Sequence, residues 1–194
     1  MDERKIYRAE AKLDPAVEAR LNQAIDLLET GVKTGKVEDL LLPLKKLGLG
    51  MGLIGDDEAD TLSAQEMLKS IGDQLAPMMR VTGSGSSSDK DVALFRSATI
   101  GLEKSPYTNL IIAKTIRQTT RHNKARLALL DKYIEDKGTT LGFGDFADSK
   151  LPPIYYRVSS DDDLQTLYDD GKVASGDVYW DADFGKFAFV EIED

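Results

Sequence analysis

The chain contains no cysteine, which excludes a disulfide framework, a thiol nucleophile and a thiolate metal site. Its single histidine, His122, leaves almost nothing from which to build a histidine-ligated metal centre or a histidine-based triad. Long apolar runs are also missing, and none approaches the roughly 20 residues that a bilayer-spanning helix needs. The opening MDERKIYRAEAKL is charged from its second residue and reads neither as a signal peptide nor as a membrane anchor. Positive charge is outnumbered. With 25 Lys plus Arg against 34 Asp plus Glu, the formal charge of -9 argues against general affinity for nucleic acid over the whole surface.

What is present is enough apolar material for a core. Hydrophobic residues make up 41% of the 194, with Leu, Ile and Val recurring through most of the length, so the 30% charged fraction reads as a solvated surface of a folded chain. Asp14 followed by Pro15 is a helix start, with Val17, Leu21, Ala24, Ile25 and Leu28 on one face and Gly31 as the stop. The next stretch, KVEDLLLPLKKLGLGMG, reads as a broken helix and loop, because Pro43 restricts it and Gly48, Gly50 and Gly52 interrupt it. Ser63 and Glu66 have capping-box spacing, flanked by Leu62 and Met67, and predict a helix through about Leu75 whose buried stripe is Leu68, Ile71 and Leu75. Beyond Pro77, residues 83–88 (GSGSSS) form a flexible loop, and Ser88 is placed to cap a helix that turns Val92 and Phe95 inward.

Ser105 and Pro106 open the longest helix, which has no breaker until Gly138 and would span roughly 45–50 Å at 1.5 Å per residue. Ile112, Ile116, Thr119, Asn123, Leu127, Leu130 and Ile134 fall on one narrow face, a seam suited to packing along another helix. Asn123 is its polar exception, and either sets register or partner or lies at a wet edge. The opposite face carries Lys114, Arg117, Arg121 and Lys124, spaced three, four and three apart. From Pro106 to Lys137 the net charge is +4, leaving -13 for the rest of the chain. Two readings of this basic row stay open: contact with DNA phosphates or an acidic subunit, and a solvated face balanced by acids of its own chain.

Gly142, Gly144 and the Pro152-Pro153 pair in LGFGDFADSKLPP end helical structure and suggest a boundary. After it the composition changes. IYYRV (154–158) has strand character, Ser160 can cap a short helix through DDDLQTLY, and GDVYW and KFAFVEI read as two strands around a turn from Asp181 to Gly185. The acid clusters Asp56, Asp57, Glu58, Asp60 and Asp161, Asp162, Asp163 lack metal-ligand spacing, and Asp181, Asp183, Gly185 lacks the remaining ligands of a calcium loop. No metal or cofactor is assigned. His122, in TTRHNK, has no sequence-linked acid and nucleophile, and Trp180 with its neighbouring aromatics reads as a core or assembly contact. The expected fold is mainly α: a helical bundle with one long central helix over residues 1–148, and a small C-terminal β-containing module over 149–194.

The region LAPMMRVTGSGSSSDKDVALFRSATIGLEKSPYTNLIIAKTIRQ resembles a segment of phage and prophage virion proteins of the internal, DNA-ejection type. The marks are a glycine- and serine-rich turn, then Ser88, Asp89, Asp91, Phe95, Ser97 and Ala98, then Ser105, Pro106 and Asn109 opening the long helix. DDDLQTLYDDGKVASGDVYWDADFGKF is similar to a short terminal module of such proteins, with Asp183-Phe184-Gly185 in place of its usual D-G-K turn. Together the two regions cover about half of the chain. The resemblance implies a structural component of a tailed-phage virion, made in the host cytoplasm. It implies an internal or DNA-ejection protein associated with portal and genome, oligomeric in the particle, with no catalytic residue. A head-to-tail adaptor or tail protein is the alternative, and a phage nuclease or cell-wall hydrolase a further one.

Overall fold

The computed structural model describes residues 15–34, 56–75 and 98–191. The broken helix expected near Pro43, the loop at 83–88 and the helix start at Ser88 lie outside the described residues. By packing, the chain groups into two compact units, one drawn from 15–113 and the other including everything from Lys114 onward. The change of composition at 148/149 falls inside the second of these.

In the first unit, helix α1 (Pro15–Glu29) buries the expected Val17, Leu21, Ala24, Ile25 and Leu28. It ends as its glycine predicts. Gly31 adopts φ +94°, its N–H bonds Leu28 O, and Val32 N–H reaches back to Leu27 O, a pair of bonds that satisfies carbonyls otherwise orphaned at a helix end. Helix α2 (Asp56–Leu75) packs against α1 and buries Leu68, Ile71 and Leu75. Its start differs from the capping-box prediction: Ser63 and Glu66 sit inside the helix, which begins seven residues earlier at Asp56. The run Asp56-Asp57-Glu58 therefore lies within the helix.

The chain approaches α2 closely at one point. A Cβ built on Gly72 would lie 2.1 Å from Ile100 O, while the Thr99 hydroxyl donates to Gly72 O at 3.4 Å. Ile100 and Leu102 are buried beside this crossing. Helix α3 (Pro106–Lys137) then starts at the predicted residue. Ser105 Oγ accepts from Thr108 N at 3.1 Å, and the fully buried Asn109 ties the preceding loop down. Its Oδ1 accepts from Gly101 N at 3.0 Å and its Nδ2 donates to Gly101 O at 2.9 Å. The stop is also where the sequence put it: Gly138 has φ +67° and its N–H bonds Ile134 O at 2.8 Å.

In the second unit, the segment after Gly138 departs from expectation. It does not end helical structure but forms helix α4 (Phe143–Lys150), entered through Gly142 at φ +79°. The left-handed turn reverses the chain so that Phe143 and Ala147, one helical turn apart, pack on Leu130, with Leu127, Tyr133, Ile134 and Phe146 around them. The Tyr133 hydroxyl donates to Leu141 O at 2.7 Å and holds the connection. The proline pair follows the helix end at Lys150.

The remainder is a three-stranded sheet with one helix, as the sequence suggested. Strand β1 is limited to Arg157–Val158, shorter than the predicted 154–158, and Ile154 O accepts from the side chain of Gln118. Helix α5 (Asp161–Asp169) is capped by Ser160, whose hydroxyl accepts from Asp163 N at 3.1 Å. It crosses over to β2 (Val178–Asp181), which lies parallel to β1, and β3 (Lys186–Phe189) returns antiparallel in the order β1-β2-β3. In the connecting turn Asp181 Oδ1 accepts from Asp183 N and Phe184 N, and Gly185 supplies φ +61°.

Candidate interaction surface on the long helix

Three faces of α3 in the second unit have different surroundings. The predicted apolar seam is covered by α4 along its C-terminal half: Leu130 is buried, and Leu127 and Ile134 are half-buried in the same cluster. Ile112, Ile116, Thr119 and Asn123 are half-buried. Arg126 stands beside this contact, forming an ion pair with Asp148 of α4 at 2.9 Å while its guanidinium lies 5.6 Å from the Phe143 ring centre.

A second face holds the sheet. Gln118 Oε1 accepts from Val178 N at 2.7 Å, and its Nε2 donates to Val178 O at 3.1 Å and to Ile154 O. One side-chain amide thus takes the place that a neighbouring strand would occupy beside the start of β2. Nothing in the sequence singled Gln118 out, since a glutamine at this spacing also suits a solvated face. Lys114 joins it: although first in the predicted basic row, it is only 6% exposed, and its ammonium sits 4.3 Å over the Phe189 ring, close to Gly176. Burial beside an aromatic face is a cation–π environment.

The third face carries the rest of the row. Arg117 and Lys124 are half-buried and Arg121 is exposed. The structure therefore keeps Arg121 and Lys124 on this face, turns Lys114 inward, and carries the half-buried Arg117 guanidinium beside the same glycine, 3.8 Å from a Cβ built on Gly176. The same three-and-four spacing continues through Ala128 to Asp131 and Glu135, which are respectively exposed, half-buried and exposed. Those two acids share the stripe with the cations, a pattern readable from spacing alone.

Other chemistry-bearing residues are dispersed. His122 is half-buried, and its pKa is held below the ordinary 6.5 by burial and by the nearby Arg126 charge, with Asp148 opposing. Trp180 and Tyr155 each meet Phe187 edge-on, with centroids 5.0 and 4.9 Å apart, so these aromatics pack on one another across one face of the sheet. Among the described residues no three His, Cys, Asp or Glu side chains group as a metal site, and no helix is long and apolar enough to cross a membrane. Comparison with protein-family models, curated proteins and solved structures returns no match.

Proposed function

We propose that this chain is a structural component of a tailed-phage virion, an internal or DNA-ejection protein associated with portal and genome and without catalytic activity. The observation that carries the reading is the ordered set of marks from Ser88 to Asn109. Its last three members each have a distinct part at the start of α3: Ser105 caps it, Pro106 opens it, and Asn109 anchors the preceding loop through Gly101. On this reading the partners are other virion proteins, with the long helix as the rigid element between contacts and the cationic row as its polar contact surface.

The adaptor or tail-protein alternative draws on the C-terminal module, where Phe184 is 76% exposed at the tip of the β2–β3 hairpin and offers an apolar contact to a neighbour. The deciding experiment is to blot purified particles before and after triggered genome release, with a capsid protein as the retained control. Loss with the genome is the expected result. Retention in emptied particles would favour the adaptor, and absence from intact particles would remove the virion reading. Nuclease or zymogram turnover that survives purification would replace it with an enzyme.

A further inference from the structure

Among all the Asp and Asn residues of the chain, Asp170 alone is followed by a glycine. That dipeptide is chemically labile. Because Gly171 has no Cβ, nothing on its own residue shields its amide nitrogen from the side-chain carbonyl carbon of Asp170, Cγ. Attack forms an N–Cγ bond and gives a five-membered cyclic imide, the hydroxyl of the carboxylic acid leaving with the amide proton as water. Water then reopens the ring. Addition at Cγ restores aspartate, and addition at the backbone carbonyl gives an isoaspartyl link whose main chain runs through Cγ and is one atom longer. One water is lost and one regained, so the mass of the chain is unchanged.

The fold holds the reacting groups apart. Asp170 is the C-cap of α5, with φ -73° and ψ -4°, and Gly171 follows at φ +66°. The Gly171 N–H donates to Tyr168 O at 2.8 Å and the Lys172 N–H to Leu167 O at 2.8 Å, the two bonds of a Schellman cap. At ψ near zero the Gly171 nitrogen eclipses the Asp170 nitrogen and not Cβ, so it is turned away from the side chain that it would attack. Ring closure needs rotation about the Asp170 Cα–C bond, and that rotation breaks both cap bonds. The Lys172 ammonium also holds Asp170 Oδ2 at 2.8 Å, a half-exposed ion pair that contributes little by itself. We propose that the Asp170-Gly171 bond is the isomerisation site of this chain, and that the α5 cap suppresses the reaction by gating it on local opening of the helix end. Every group involved lies between Ser160 and Val173, and none depends on the chain being a virion protein. The lengthened link cannot remake the cap, so the buried Val173, whose N–H bonds Leu167 O at 3.3 Å, loses its fixed distance from α5.

Peptide mapping of the full chain after warm incubation at mildly acidic pH, with and without guanidinium chloride, tests this. Isoaspartate is read as a peptide of unchanged mass and shifted retention that endoproteinase Asp-N no longer cuts before residue 170. In denaturant, residue 170 should isomerise faster than any other position, and in the native protein at least about tenfold more slowly than that. Asp170→Glu should abolish the product at this site, since its longer side chain would have to close a six-membered ring. Ser160→Ala leaves the dipeptide and its cap bonds in place but removes the hydroxyl that accepts from Asp163 N at the other end of α5. It should raise both the native isomerisation rate and the exchange rate of the Gly171 amide by about fivefold. Circular dichroism checks that this variant stays folded. Faster isomerisation at another residue in denaturant overturns the assignment of the site. Equal rates in native and denatured chains overturn the protective role of the cap, as does a Ser160→Ala variant whose Gly171 amide exchanges faster while its isomerisation does not.

Discussion

Gln118 and Val178, sixty positions apart in the chain, are joined by two hydrogen bonds, one in each direction, between a side-chain amide and a backbone amide. The sheet is thereby fixed to the long helix by a polar contact, beside the Lys114 ammonium over the Phe189 ring. The consequences for stability follow from what each group loses when the glutamine changes.

Gln118→Ala removes the partner of Val178 N–H and the donor to Ile154 O together. Leaving such groups unsatisfied costs about 1–3 kcal/mol each where water cannot replace the bond. A loss of about 2 kcal/mol in urea-induced unfolding is expected, with faster hydrogen exchange at the Val178 amide. Unchanged exchange there would show that water takes over the bond. Gln118→Glu keeps an acceptor for Val178 N–H but loses both donations, so its exchange rate should fall between the two.

Gly72 and Gly144 should respond to alanine in opposite senses. At Gly72 the new methyl would meet Ile100 O at 2.1 Å, and backbone on both sides has little room to yield. Overpacking of this kind costs about 1–3 kcal/mol. Nothing lies within 4 Å of a Cβ at Gly144 within α4, so Gly144→Ala should stabilise by up to about 1 kcal/mol through helix propensity. Thermal melts of the two variants give the sign directly.

Asn109→Ala should destabilise by about 1–3 kcal/mol, because the half-buried Gly101 amide and carbonyl lose their partners together. Asn109→Asp separates the two halves of the contact: the acceptor for Gly101 N remains and the donor to Gly101 O is gone. Chemical denaturation of the pair shows which half contributes more. Equal stability of Asn109→Ala and wild type would remove the anchoring role.

His122 gives an unobstructed pH readout as the only histidine in the chain. Its folded-state pKa lies below the ordinary 6.5, so the unfolded chain binds the proton more readily. The associated stability is present above about pH 6.5 and is lost as pH falls below that value. The imidazole resonances of the native protein should titrate with a midpoint below 6.5, and His122→Gln should flatten this part of the stability profile. A midpoint at or above 6.5 would mean that Asp148 outweighs burial and Arg126.

The sequence by itself determined what depends on local rules. Periodicity placed the buried faces of α1 and α2, and Pro106 and Gly138 bounded α3 to the residue, because capping and glycine stops act within one turn. Ser160 likewise marked α5, and the Asp181–Gly185 segment marked the hairpin. Local signals misled where two patterns competed: Ser63 and Glu66 match a capping box, yet helical structure continues back to Asp56. Gly142 and Gly144 resemble a helix terminator, yet a reversed chain could still bury Phe143 and Ala147 on Leu130. Only tertiary structure decided that Lys114 leaves the basic row for Phe189, and that Gln118 supplies the bonds of a missing strand. Both depend on what lies 60 or 75 positions away in the chain, and a helix face alone does not encode whether a long polar side chain meets water or another part of its own chain.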